Sequence, residues 1–477
     1  MSERESRDYD VVVLGAGPTG ENVADRAGRD GLRVVIVEKE LVGGECSFWA
    51  CMPSKALLRP LQALTEARSV AGSREAVSGD LDVGAVLARR DSFASYWKDD
   101  GQVKWLADTH VDLVRGHARL DGERRVVVEK DGKTTELRAR HAVAICTGTG
   151  AAIPPIPGLA EVRPWTSREA TSAKRAPRSL VVIGGGVVGC EMATAWHGLG
   201  TEEITLLQRG PRLLPGCEDF AGEILAEALR GRGIIVLTDT SASRVEKTGT
   251  GVRVHLPSGD SIAAEQVLVA AGRVPQTGDI GLESVGLAPG AWLEVDEQMG
   301  VRGVAGEWLY AAGDVNHRAL LTHMGKYQAR VCGDVIAARA RGESARTDEW
   351  SRHAATADLR AVPQVVFTEP EVAAVGLTAA LARRRDFTVR TVDYDMGRIA
   401  GASLFADDYA GRARLVIDEK RNVILGATFV GAGTAELVHA ATIAIVGEVP
   451  LDRLWHAVPS YPTVSEIWLR LLETAGL

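Results

Sequence analysis

Two cysteines with four residues between them, Cys46 and Cys51, stand in the segment Gly43 to Lys55, GGECSFWACMPSK. Sulfurs at that spacing can close a small loop, and a disulfide that opens and closes carries two electrons. Two buried thiols, or a bridge that only stabilises the fold, are the alternatives. The neighbourhood favours redox chemistry, because the segment follows a pattern suited to a dinucleotide, and a disulfide beside such a ligand can relay two electrons. Pro53 and Ser54 could start a helix running through Arg59. A thiolate at Cys51 would then lie close to the positive end of that helix, which favours the charged form.

The elements that must position this pair begin upstream. Tyr9 to Leu14 reads as a short buried parallel strand, followed at once by Gly15-Ala-Gly-Pro-Thr-Gly20, a helical segment through Arg29 and a second strand, Arg33 to Val37, ending at Glu38. Gly15, Gly17 and Gly20 allow a tight turn, approach of a pyrophosphate and close helix packing, while Glu38 can bind an adenosine ribose hydroxyl. Three spaced glycines alone say little; with strand, helix and terminal acid in register they predict dinucleotide binding. Further on, 63–99 reads as mostly helical, and 111–138 as a meander broken at Asp121-Gly122 and Asp131-Gly132. His141 to Cys146 resumes a buried strand, and Thr147-Gly148 after it could let the chain pass close to the bound dinucleotide. Cys146 itself reads as a small core residue.

The pattern then repeats. Pro154, Pro155 and Pro157 mark a boundary, Ser179 to Ile183 is another buried strand, and Gly184-Gly-Gly-Val-Val-Gly189 leads into a helix near Cys190-Glu191-Met192. Gly184, Gly186 and Gly189 occupy the fingerprint positions, and two such units suggest two cofactors. The next strand, Ile204 to Leu207, is followed by Gln208 and Arg209 where an acid often ends an NAD-binding unit. Loss of the acid lowers repulsion of a 2′-phosphate and an arginine can grip it, so NADPH is favoured and NADH remains possible. Arg212 could assist or lie on the surface. Residues 234–269 suggest an antiparallel section, and Gly272 to Pro275 returns the chain toward its first domain. Trp308 to Ala312 reads as a strand leading to Gly313-Asp314, and His323 to Arg339 as a helix. Asp314 suits a sugar or ribityl hydroxyl, with a helix cap as the alternative. The last third mixes strands (364–367, 387–392, 413–417, 423–429) with helices (378–384, 433–446) and could be a dimerisation domain.

Composition narrows the partners. At 477 residues the chain can form about three domains of roughly 150 residues. A hydrophobic fraction of 45% supports large cores, and 25% charged residues argue against wholesale disorder. The net charge of −8 gives no reason to expect nucleic acid, and Arg89-Arg90 and Arg383 to Arg385 read as solvated surface. Six cysteines are too few for a disulfide scaffold in a chain this long. The opening MSERESRDYD lacks the basic start and apolar core of a leader, and the apolar runs are too short to span a bilayer. A cytoplasmic protein is expected, with no metal site and no membrane partner, in which only a catalytic pair cycles through the disulfide.

Taken together, GAGPTG, the C-x4-C segment with PSK, GGGVVGCEMA (184–193), AGRVP (271–275) and AAGDV (311–315) resemble the class I flavoprotein disulfide reductases, the pyridine nucleotide-disulfide oxidoreductases, over nearly the whole chain. The branch is that of dihydrolipoamide dehydrogenase, glutathione reductase and mercuric reductase. The resemblance implies an α/β fold: two doubly wound dinucleotide-binding domains with a C-terminal α+β dimerisation domain. Its boundaries would be FAD-binding residues 1–152, NAD(P)H-binding 153–275, returning FAD-binding 276–345 and dimerisation 346–477. FAD would lie in the first domain, with Gly44 and Gly272 counted among the cofactor-binding residues, and the protein would be a homodimer. Cys51 would be the flavin-proximal sulfur and Cys46 the sulfur that exchanges with substrate. Lys55 and Glu191 resemble the pair near the flavin ring, where an ammonium stabilises developing negative charge.

Two departures bear on function. Glu45 and Ser47-Phe48-Trp49-Ala50 replace the commoner redox-loop residues. The family's acid-base segment has His-Pro followed closely by Glu, whereas here Tyr461-Pro462 precedes Glu466. A tyrosine with a reference pKa near 10 is a poor neutral-pH base. His456 offers a nearby imidazole, with a structural or surface role as its alternative. The leading expectation is transfer from NAD(P)H through FAD to the Cys46–Cys51 disulfide and on to a small-molecule or protein disulfide. A direct reductase of quinones, metal ions or other electrophiles is the second reading, and a nonenzymatic flavin-binding, redox-responsive protein the third.

Overall fold

The computed structural model describes residues 5–477. They fall into two compact units: the chain up to Met52 with Ala94–Gly150 and Arg273–Asp358, and Pro53–Phe93 with Ala151–Gly272 and Leu359–Leu477. The second glycine-rich segment and the C-terminal third therefore share one unit.

The first unit is built on a seven-stranded sheet. Its strands β1 (Glu5–Leu14), β2 (Val34–Glu38), β3 (Asp112–Arg115), β4 (His117–Leu120), β5 (Arg125–Lys130) and β6 (Lys133–Ile145) run in the order β3-β2-β1-β6-β5-β4, and Leu309–Ala311 pairs with β6. Val11 to Val13 and Val35 to Ile36 are fully buried, as expected where both faces of a parallel sheet are covered. In register, Val11 lies opposite Val34 on one side and Ala142 on the other. The stretch expected as a meander divides: β3 joins β2 in parallel, while β4, β5 and β6 are antiparallel. Helix α1 (Pro18–Gly28) packs against the helix Thr322–Ala340, where a Cβ on Gly325 would overlap Thr19 Oγ1 and one on Gly333 would lie 2.6 Å from Arg26 Cβ. Small residues let the two backbones approach closely.

The second unit holds a parallel sheet in the order Ile235–Leu237, Glu203–Leu207, Ser179–Ile183, Gln266–Val269. A three-stranded antiparallel sheet (Arg244–Lys247, Val252–His255, Ser261–Ala264) inserts before its last strand. The antiparallel section expected over 234–269 is thus confined to its middle. The flanking runs IVL and QVLV are short and continuously apolar, a pattern that does not tell parallel from antiparallel pairing. The C-terminal part adds a five-stranded antiparallel sheet with Glu371–Gly376 and Val423–Gly431 at its centre. Among the described residues no helix is long and apolar enough to cross a membrane.

Trp196, on the helix Val187–Gly198, is fully buried and packs against Trp165 with ring centroids 5.7 Å apart. Trp196→Ala should destabilise the second unit by about 3–5 kcal/mol, read as a lower urea midpoint with Trp165 fluorescence as the reporter.

Candidate active site

The first unit presents a dinucleotide cradle shaped by absent side chains. Gly15 has φ +96°, and a Cβ there would lie 2.6 Å from the Cys146 carbonyl oxygen. A Cβ on Gly20 would overlap the Gly15 carbonyl oxygen, whereas one on Gly17 would meet open space. Gly17 is the N-cap of α1 and no side chain caps it, so the first N–H groups of the helix remain available to an anion. Glu38 accepts hydrogen bonds from Ala16 N at 2.8 Å and Glu40 N at 2.7 Å. Burial nevertheless raises its carboxyl above the usual range, against the pull of those two bonds.

The far side of the cradle is polar and under-satisfied. Thr147 Oγ1 is buried without a hydrogen-bond partner. Gly148 has φ +67°, and Gly313 N donates to Gln328 Oε1 at 2.8 Å. Asp314 opens a short 3₁₀ turn, but its side chain does not cap it; Oδ2 accepts from Thr149 Oγ1 at 2.8 Å, and burial raises its carboxyl. Arg273 donates to Thr149 Oγ1 at 2.5 Å and stands 3.7 Å from Asp314. An orphaned hydroxyl, an uncapped helix end and an open glycine suit a phosphate-and-polyol ligand, so these residues fit the FAD that the resemblance implies.

The redox segment folds against this cradle. Cys46 lies in the short helix α2 (Gly44–Phe48), and Cys51 is the first residue of α3 (Cys51–Arg68), two residues earlier than the expected start at Pro53. A Cβ on Gly44, itself at φ +58°, would be 2.9 Å from the Gly17 Cα. The glycine turn and the redox segment are therefore in direct backbone contact. Both cysteines are thiols and partly buried. A hydrogen bond with Cys51, reinforced by burial, pushes the Cys46 thiol far up, while Thr322 and Lys326 oppose that rise. Cys51 Sγ is 3.3 Å from Thr322 Oγ1. The indole of Trp97 donates to the Phe48 carbonyl at 3.1 Å, and Trp49 tilts against Phe48 with centroids 5.7 Å apart. Thr322 and Gln328 were not singled out in the sequence, because what gives them a role is a contact made by folding: Thr322 reaches Cys51 across 271 positions, and Gln328 turns back onto Gly313 from within a helix.

In the second unit Lys55 Nζ contacts Glu191 Oε2 at 2.8 Å, and Glu191 Oε1 accepts from Phe367 N at 3.1 Å. Glu191 is buried, so the ammonium balances a carboxylate that could not stand alone. Gly184 repeats the turn at φ +115°, a Cβ on Gly189 would overlap its carbonyl, and Gly186 faces open space. Gln208 Oε1 accepts from Gly185 N at 3.0 Å, which ties the residue replacing the expected acid to the glycine turn. Arg209 is exposed, Arg212 pairs with Asp219 at 2.7 Å, and Gly272 has φ +136°. Tyr461 is 75% exposed and His456 is also exposed. Glu466 is buried and bonded to Arg470 at 2.8 Å.

Comparison with known proteins agrees with this architecture. The pattern of the pyridine nucleotide-disulphide oxidoreductase family matches residues 9–337, and that of its dimerisation domain residues 362–471. The chain is 34% identical to dihydrolipoyl dehydrogenase 3 of Pseudomonas aeruginosa, covering 96% of each. It is 30% identical to a mercuric reductase of Staphylococcus aureus, over 96% of this chain and 81% of that one. The fold is similar to that of the HOCl-induced flavoprotein disulfide reductase RclA from Escherichia coli in its Cu(II) complex, with TM-score 0.83, 22% identity and coverage of 98% and 99%.

Gly20→Ala tests the cradle. Its Cβ cannot be accommodated without moving α1 off the Gly15 carbonyl, so the variant should purify with a sharply reduced flavin content, measured by absorbance at the flavin and protein bands.

Proposed function

We propose, because this chain belongs to the pyridine nucleotide-disulphide oxidoreductase family of FAD-binding, NAD(P)H-linked enzymes, that its own cysteine pair delivers two electrons to a small-molecule or protein disulfide. Family membership removes the nonenzymatic reading. The observation that carries the proposal is the placement of both cysteines, Cys46 in α2 and Cys51 at the start of α3, beside the Gly44–Gly17 contact, where each acts on the other. Sulfurs that share a hydrogen bond need only a small rotation to form a disulfide.

Gly15, Gly17, Gly20 and Glu38, with Gly44, Thr147, Gly148, Gly313 and Asp314, would hold the FAD. When bound, that group links nicotinamide oxidation to reduction of the cysteine pair. Gly184, Gly186 and Gly189 would hold the nicotinamide dinucleotide, with Gln208, Arg209 and Gly272 beside them. Gln208 brings no negative charge and the exposed Arg209 can reach a 2′-phosphate, which supports NADPH ahead of NADH. Lys55, fixed by Glu191, supplies the cation that the resemblance assigns to the flavin ring. The hydrogen bond with Cys51 and burial raise the Cys46 thiol, which suits Cys51 as the inner thiolate; the resemblance gives Cys46 as the exchange sulfur. The dimerisation domain supports a homodimer.

A second reading, direct reduction of a quinone, metal ion or other electrophile, is favoured by Tyr461. A phenol stands there in place of the family's imidazole, and a direct acceptor does not require that a departing thiol be protonated.

Cys46→Ser separates the two readings: disulfide reduction should fall by orders of magnitude, while anaerobic reduction of the flavin by NADPH persists. Full disulfide reductase activity in that variant would rule out the exchange route, and intact quinone reduction alone would favour the second reading. Gln208→Glu should move the NADPH-to-NADH preference by about tenfold toward NADH, equivalent to about 1.4 kcal/mol, measured as the ratio of kcat/KM values.

A further inference from the structure

We propose that Trp97 is a positioning residue for the redox pair: its indole N–H clips the backbone between Cys46 and Cys51, and a left-handed turn unfavourable to its own residues is kept to place it there. The need for a clip lies in the redox segment itself. Cys46 sits in α2, whose five residues are too few to hold a helix alone. Two glycines at positive φ, Gly43 and Gly44, lead into it, and glycine restrains the backbone least. Local sequence therefore does not fix where Cys46 stands relative to Cys51.

The segment 94–99 supplies the restraint at two points. Trp97 Nε1 donates to the Phe48 carbonyl at 3.1 Å. Phe48 is fully buried and ends α2, where helix carbonyls lose their intrahelical partners. Two residues on, Asp99 Oδ2 accepts from Val42 N at 2.7 Å and is itself held by Arg115 at 2.5 Å. The two anchors bracket Gly43, Gly44 and Cys46.

Reaching both anchors strains the turn. Ser95, Tyr96 and Trp97 have φ of +47°, +52° and +55°, and Trp97 N and Lys98 N close the turn on the Ala94 and Ser95 carbonyls at 2.8 and 3.0 Å. A left-handed run crowds each Cβ against the following carbonyl oxygen, so residues with side chains visit it singly rather than in succession. Such conformations persist where the surroundings over-determine them, and they gather at functional sites. Tyr96 is 64% exposed, so burial of its ring does not offset the cost. What the turn secures is the indole contact, since a right-handed turn would send that side chain in another direction. Pinning the Phe48 peptide in the reduced protein removes freedom that closing the disulfide would otherwise have to remove. The clip thus favours the closed pair, and loss of the indole N–H favours the dithiol.

The inference rests on the Cys46–Cys51 pair as the redox centre. The test is anaerobic equilibration of the FAD-loaded protein with mixtures of reduced and oxidised dithiothreitol, followed by acid quenching and counting of alkylated Cys46 and Cys51 by peptide mass spectrometry. Closing the bond releases two electrons and two protons, which oxidised dithiothreitol takes up as its two thiols. Trp97→Phe keeps an aromatic ring and removes the N–H; its disulfide should be about tenfold less favoured than the parent's, or about 30 mV. Tyr96→Gly relieves the turn without touching either anchor, and should raise the urea midpoint while the equilibrium stays at the parent value. An equilibrium in Trp97→Phe that coincides with the parent's or favours the disulfide, or a lower urea midpoint in Tyr96→Gly, overturns the clip and leaves the redox pair intact. If Trp97→Phe does not fold, Asp99→Ala, which removes the other anchor, takes its place with the same expected direction. A parent protein that forms no Cys46–Cys51 disulfide in any mixture overturns the redox pair and this inference with it.

Discussion

Everything chemical in this protein depends on a steric constraint: in each unit a strand must turn into a helix so tightly that one glycine has no room for a Cβ. Gly20 closes over the Gly15 carbonyl, and Gly189 over that of Gly184. A side chain at either place would lift the helix off its strand. With the turn closed, the helix N-termini behind Gly17 and Gly186 stay uncapped and open, which is what a pyrophosphate requires. The same closeness extends to the redox segment, since Gly44 rests on Gly17.

Within that frame the six cysteines divide by environment. Cys146, Cys190, Cys217 and Cys332 are buried, and burial raises each thiol, Cys146 to about 12 and Cys217 to about 11. They are small core residues held neutral. Cys46 is also raised, but its first cause is another cysteine rather than apolar packing. A hydrogen bond between two thiols makes the proton on one a condition of the charge on the other, so their titration belongs to the pair.

Two buried carboxylates are compensated by facing cations. Glu191 is matched by Lys55 and a backbone N–H, and Asp334 is held by Arg26 and Arg352, which keep its carboxyl low despite burial. Glu21, Glu369 and Glu466 each keep one buried carboxyl oxygen without a hydrogen-bond partner. At Glu21 burial pushes the carboxyl up to about 7.

Local sequence was enough to place the two strand-glycine-helix units, the redox pair and four of the five C-terminal strands, because a glycine at a turn and an unbroken apolar run constrain the backbone by themselves. Glu371–Gly376 and the helix Asp219–Gly231 were not read from it. The first is alanine- and glycine-rich and becomes a strand by pairing with Val423–Gly431; the second becomes a helix face by packing Phe220, Leu225 and Leu229 into the core. Tertiary structure alone decided which polar groups meet: Thr322 with Cys51 and Thr149 with Asp314. Residue types and spacing determine what a short segment can do, but hydrogen bonds and fields act over a few ångströms in space. Only the folded chain sets those distances.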